Sequence, residues 1–213
     1  MGSLKLPHAS GNSMSIAAPA TNPASDLELK LPATIGSAGQ VLRNSSTPGT
    51  LEFGGLGGGI TQVDEWRVNA NFTTANAEGI TSNWERNDNS TFSLIGSGMS
   101  ESSGSFTFPE TGVWKVDWHA MGGVSGTQVR YVVADILYTT DNWSSQGQIA
   151  FGNGSISNDT NANSQSHASS IFDVTNTSTH KLKFTCYAEV SITWECSSTA
   201  NSMYATFIRL GDT

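Results

Sequence analysis

Apolar and polar residues alternate in twos along the second half of the chain, and no helical period persists over ten residues anywhere. The clearest run is Leu182, Phe184, Cys186, Ala188, Val190, Ile192, Trp194 and Cys196, all at even positions. Between them lie Lys183, Thr185, Tyr187, Glu189, Ser191, Thr193 and Glu195, and no turn residue interrupts, so one long strand is predicted, with room for a bulge. Trp114, Val116, Trp118 and Ala120 share one face of another strand, opposite Lys115, Asp117 and His119. Residues 129–138 are almost continuously apolar, broken by Arg130 and Asp135, and read as a strand covered on both faces. Residues 171–174 read as a short strand and 203–208 as a terminal one. Less clear are 60–68 with Phe72, read as an edge strand, and 92–95, read as another. Residues 153–167 are almost wholly Asn, Ser, Gly, Asp and Thr and read as a long loop.

The first 59 residues follow a different pattern. They hold five of the six prolines and end in the run Phe53-Gly54-Gly55-Leu56-Gly57-Gly58-Gly59. Leu27, Leu29 and Leu31 alternate with Glu28 and Lys30 as one short strand, followed by turns at 36–39 and at Pro48-Gly49. The resulting division is an N-terminal segment 1–53, a glycine hinge 54–59 and a folded domain 60–213. Ile16, Leu27, Leu29, Leu31, Val41, Leu42, Leu51 and Phe53 are too many apolar residues for a solvated tail and too few to make a core in one copy. Copies wound about an axis would cover them, which predicts an oligomeric stalk or anchor.

Composition sharpens this picture. Ser, Thr, Gly and Asn make up 91 of 213 residues, while only 13% are charged, about half the usual fraction. Six Trp, nine Phe and four Tyr argue against disorder. The net charge of −8, with ten scattered cations, excludes a nucleic-acid partner that needs a basic stripe. No apolar run reaches the ~20 residues of a spanning helix, so no membrane insertion is expected. Met1 to Pro7 lacks an apolar signal core, so assembly in a cytoplasm is expected.

Candidate chemistry is sparse. The four histidines, at 8, 119, 167 and 180, have no metal-ligand spacing, so neither metal nor cofactor is expected, and His119 reads as an exposed or edge residue. No Gly-x-Ser-x-Gly elbow or phosphate loop occurs. Asp135, Asp141, Asp159, Asp173 and Glu189 are the carboxylates a glycan-cleaving enzyme would use, but nothing pairs them, and no enzyme is expected. Asn158-Asp159-Thr160-Asn161 lacks the acidic set of a calcium loop. Cys186 and Cys196 lie ten residues apart on the predicted strand, roughly 33 Å, so two free thiols are expected. Trp114, Trp118 and Trp194 face inward, whereas Trp143 sits in a polar turn where it either covers the core edge or stacks on a ligand.

The stretch Phe106-Thr107-Phe108-Pro109-Glu110-Thr111-Gly112-Val113-Trp114 resembles the signature of the C1q/tumour-necrosis-factor-like jelly roll, with Trp in place of its last aromatic. Residues 202–210 look like that family's closing strand, with Thr206 for its usual Gly and Leu210 for its usual aromatic. The resemblance covers about 60–213 and implies an all-β, ten-strand jelly roll that assembles as a homotrimer. Ile16-x-Ala18-Pro19, the Leu27 to Pro32 alternation, Gly39-Gln40-Val41-Leu42 and Leu51-Glu52-Phe53-Gly54 are similar to segments of bacteriophage fibre and virion-surface proteins. Together these imply a trimeric phage fibre on the head or tail of the virion. Its N-terminal segment would dock on other virion proteins, and its knob would meet a host glycan or surface protein or decorate the capsid. Tyr138, Asn142, Trp143, Asn153, Asn158 and Asp159 are the candidate receptor contacts. A monomeric carbohydrate-binding module is the alternative.

Overall fold

The computed structural model describes residues 3–7, 11, 13–17, 20, 21, 23–25, 28–55, 59–77, 79–126, 128–156 and 161–213, and for 3–7, 13–17, 55 and 77 the backbone alone. The chain divides into two units, Met1–Gly59 and Ile60–Thr213.

In the first unit, β1 (Ser3–Pro7) pairs antiparallel with β2 (Ser13–Ala17), which carries Ile16, and β3 (Gln40–Asn44) with β4 (Leu51–Gly55). The second hairpin turns at Pro48-Gly49, where Gly49 takes a φ of 79°. The strand expected around Leu29 and Leu31 does not form: these residues are extended and touch the hairpin only through a bridge from Lys30 to Thr50. Pro32 withholds the next backbone donor, which ends the pairing there. Leu27 lies outside the described residues. Of the expected glycine hinge 54–59, Gly54 and Gly55 instead complete β4 opposite Val41 and Gln40; residues 56–58 lie outside the described residues. Phe53 rests on Gly36, whose added Cβ would lie 2.6 Å from the ring.

The second unit is all-β, with eleven strands and no helix among the described residues. One layer runs β7 (Trp84–Arg86), β5 (Val63–Val68), β15 (Tyr204–Gly211), β10 (Gly112–Ser125), β13 (Asn161–Val174). The other runs from β12 (Gly147–Ser155) through β11 (Tyr131–Thr139) to β14 (Lys181–Trp194), whose far edge takes β6 (Phe72–Ala77) and β9 (Ser105–Thr107), and β9 pairs with β8 (Ser100–Ser102). The layers join where Gly122 and Gly123 of β10 pair with Trp194 and Thr193. Apart from the β8–β9 and β11–β12 hairpins, successive strands alternate between layers, which is jelly-roll connectivity. The inner faces carry Trp114, Val116, Trp118 and Ala120 against Leu182, Phe184, Cys186 and Trp194, all fully buried. Phe106 and Phe184 meet edge to face at 5.2 Å.

Four expectations change. Residues 153–167 are not a loop: 153–155 end β12 and 161–167 begin β13, whose fourteen residues pair with β10 from Gly112↔Val174 to Ser125↔Asn161. Ser and Asn have low strand propensity, but a continuous ladder with β10 holds the strand along its whole length. β12 comes close to β13 just before that stretch, where a Cβ on Gly152 would stand 1.7 Å from the His167 carbonyl oxygen. The short strand at 171–174 is the end of that same β13. Residues 92–95 form no strand, only a bridge from Ile95 to Val63. β5 is not an edge, since β15 and β7 flank it, and Phe72 opens a separate strand in the other layer. The long strand expected at 182–196 forms as β14, with an irregular register against β6 between Tyr187 and Ile192. The motif glycine Gly112 has a φ of 141°, and a Cβ there would lie 2.5 Å from both Arg209 Nε and the Gly211 carbonyl.

Candidate functional site

The expected contact residues divide by position. Tyr138 faces the core, where its ring meets Phe172 edge-on at 5.8 Å. Asn142 and Trp143 occupy a turn after β11 with left-handed φ of 58° and 69°. Such backbone is uncommon for non-glycine residues and for Trp is an outlier. The turn is held by Thr139 Oγ1, which accepts from the amides of Asp141 and Trp143, and by the Asp141 carboxylate, which accepts from the Ser145 amide and hydroxyl. Those bonds, with one from Thr139, hold the Asp141 carboxyl down at about 2. Trp143 is half-buried: its indole N–H donates to Ser105 Oγ at 2.8 Å and the Lys183 ammonium lies 4.0 Å from the ring centroid. One face is therefore taken, and the ring pins the turn to β9 and β14. Asn142 accepts from Lys181. Asn153 stands exposed on β12, away from that turn. Asn158 and Asp159 lie outside the described residues.

A row that the sequence did not single out crosses the outer face of the first layer. Register places Arg67 opposite Tyr204, Tyr204 opposite His119, and His119 opposite His167. The Tyr204 and His119 rings stack at 4.5 Å with 6° between planes, and His119 and His167 at 4.2 Å with 20°. His119 is thus not an edge residue, since β10 lies between β15 and β13. Burial lowers its pKa and the neighbouring His167 adds to the shift, while Asp117 and Glu65 oppose it. His167 Nε2 is 3.2 Å from Asp117, which also pairs with Lys115 at 3.0 Å. Arg67 is wholly buried and bound by Glu85 at 2.7 Å, by Asp88 and by Asn87. Finding the row requires the register of four strands distant in sequence.

Among the described residues the candidate carboxylates are not brought together; Asp159 lies outside them. Asp141 is locked in its turn, Glu189 is bound by Arg130 at 2.6 Å, and Asp173 and Asp135 lie on opposite layers. Among the described residues no cluster of three or more His, Cys, Asp or Glu is arranged to hold a metal ion. Cys186 and Cys196 are free; burial pushes the first thiol up and the second to about 12, so neither is a ready thiolate.

No family model and no curated protein matches the sequence. Solved structures do match the second unit. A tumour-necrosis-factor protein, Eiger, from S. frugiperda superposes with a TM-score of 0.55 at 9% identity, over 72% of this chain and 95% of that one. Murine APRIL at pH 5.0 gives 0.50 at 10% identity, over 70% and 98%. At such identities the likeness is one of fold, and the second unit has the tumour-necrosis-factor-like jelly roll that the Phe106 to Trp114 motif implied.

Proposed function

We propose that the chain is a trimeric virion-surface fibre, with the first unit as stalk and particle anchor and the jelly roll as an outward knob that attaches to the host or decorates the capsid. The observation that carries this reading is the apolar surface left uncovered in the first unit. Leu29, Leu31, Ile35 and Leu42 are 62%, 73%, 94% and 48% exposed. At roughly 25 cal/mol per Å², hiding such side chains between copies is a strong drive to assemble. The knob offers a second contact. On the outer face of β15, β10 and β13, Ile208 and Ile171 flank Lys115, and the stacked Tyr204, His119 and His167 lie beyond the intervening row of Thr206, Asp117 and Ser169; these apolar and aromatic groups suit a packed interface better than open water.

Native mass spectrometry of the full chain tests the assembly. Three times the 22.5 kDa chain mass is expected, and a stable monomer at micromolar concentration overturns it. Imaging of intact particles with a label on the knob tests the location, and particles without the label sink the virion reading.

A further inference from the structure

We propose that a cleft on the outer face of the second layer, centred on Asp135, binds a neutral sugar ring through its hydroxyls. This rests on the reading of the knob as an attachment module and names the site and ligand class.

Asp135 points outward from β11, between Thr185 of β14 and Phe151 of β12 in the register. Even so it is only 6% exposed. Its Oδ2 accepts from Thr185 Oγ1 at 3.3 Å, while Oδ1 is buried without a well-formed hydrogen bond, although the neighbouring Gln148 amide draws on the carboxylate. None of the ion pairs among the described residues includes it. The nearest cation on its side of β14, Lys183, is turned to Trp143. A carboxylate in the middle of an apolar strand, desolvated and half unsatisfied, is a stability cost that calls for a purpose. Asp135 lines a cleft of 310 Å³ together with Asn76, Leu137, Gln146, Thr185 and Tyr187. That is near the lower end of small-molecule pockets, the size for one ring.

The lining selects among ligands. An anion would meet Asp135 with no countercharge beside it. A metal ion would need several carboxylate or carbonyl oxygens, and the cleft has one acid. An apolar group would leave Oδ1 unsatisfied. Hydroxyls donate to a carboxylate and exchange hydrogen bonds with the amides of Asn76 and Gln146 and the hydroxyls of Thr185 and Tyr187. Aromatic edges complete the match: Tyr187 meets Tyr131 edge-on at 6.4 Å, and Phe151 stands 65% exposed across the strand from Asp135, free to cover the C–H face of a ring. Burial raises the Asp135 pKa against the pull of Thr185 and Gln148, so the acceptor is lost early on acidification.

The test is an amide-resolved NMR titration of the full-length protein with the methyl glycosides of galactose, glucose, mannose and N-acetylglucosamine. N-acetylneuraminic acid and a lysine amide serve as charged comparators. At least one neutral glycoside is expected to shift the amides of Asp135, Thr185 and Tyr187. Asp135→Asn should weaken that binding about tenfold or more, in line with loss of a charged hydrogen bond, without lowering the melting temperature. Phe151→Ala, a change at an exposed side chain, should also weaken it and serves if the first variant does not fold. The proposal fails if no neutral glycoside moves these amides, if only the lysine amide or the acidic sugar does, or if both variants bind like the parent. Particle imaging separates this from the fibre reading: sugar binding by a chain absent from particles keeps the cleft and ends the attachment role. A labelled particle whose knob ignores every glycoside does the reverse.

Discussion

The two outer faces of the jelly roll are both built from antiparallel strands and differ in whether a buried charge meets a countercharge. On the first layer, Arg67 is buried but enclosed by Glu85, Asp88 and Asn87, and Asp117 is shared between Lys115 and His167. On the second, Asp135 is nearly as deep and has only neutral partners, the Thr185 hydroxyl and, less strongly, the Gln148 amide. A buried charge that is paired holds a fold in one arrangement, and one left half-satisfied weakens it. The first face therefore reads as structural and the second as a place where stability is given up for binding.

The largest expected effect breaks the paired face. Arg67→Met removes hydrogen bonds to Glu85, Asp88 and Asn87, two of them charge-assisted, and should destabilise by about 3 kcal/mol in urea unfolding; a loss under about 1 kcal/mol would show that the enclosure is only decorative. Gly152→Ala should cost about 2 kcal/mol, because the methyl group collides with the His167 backbone where β12 approaches β13. Calorimetry should find it less stable than Gly211→Ala, where nothing lies within 4 Å of the new Cβ.

The two faces should also titrate in opposite senses. The His119 pKa is lowered by folding, so its contribution is intact above about 6.5 and is lost as pH falls below that value. Melting curves between neutral and mildly acidic pH should show His119→Gln losing less stability on acidification than the parent. Asp135 has its pKa raised, so the folded form holds its proton more tightly than the unfolded chain, and the penalty grows as pH rises above the ordinary value of 3.8. Asp135→Asn should therefore melt higher than the parent at neutral pH, with the gap closing in acid. A lower melting point at neutral pH would mean that the carboxylate is structural. The smallest effect is expected at Trp143→Ala, about 1 kcal/mol, from the lost cation–π contact and the Ser105 hydrogen bond.

Much of the sandwich was legible in the chain. β14 and the inner face of β10 follow from strict alternation of large apolar residues, because side chains on a strand point to opposite faces and only one face is dry. The motif at Phe106 to Trp114 was legible for a related reason: Gly112 is required by its left-handed backbone and by the Arg209 and Gly211 atoms where a side chain would stand. β13 was not legible. Its sequence of Asn, Ser, Gln and His lacks an apolar face for half its length, and its place is set by β10, some forty residues away.

The candidate sites divide in the same way. Trp143 could be singled out in its turn, but whether its ring was free depended on Lys183 and Ser105 arriving from other strands. Asp135 was visible as a lone carboxylate in an apolar run, and that run read as a strand covered on both faces. Only the tertiary structure decided that it would be short of a partner, because that depends on which side chains the neighbouring strands deliver to its height in the sheet. The same holds for Tyr204, His119 and His167: composition and period determine strands, while cross-strand register, fixed by long-range pairing, determines which side chains meet.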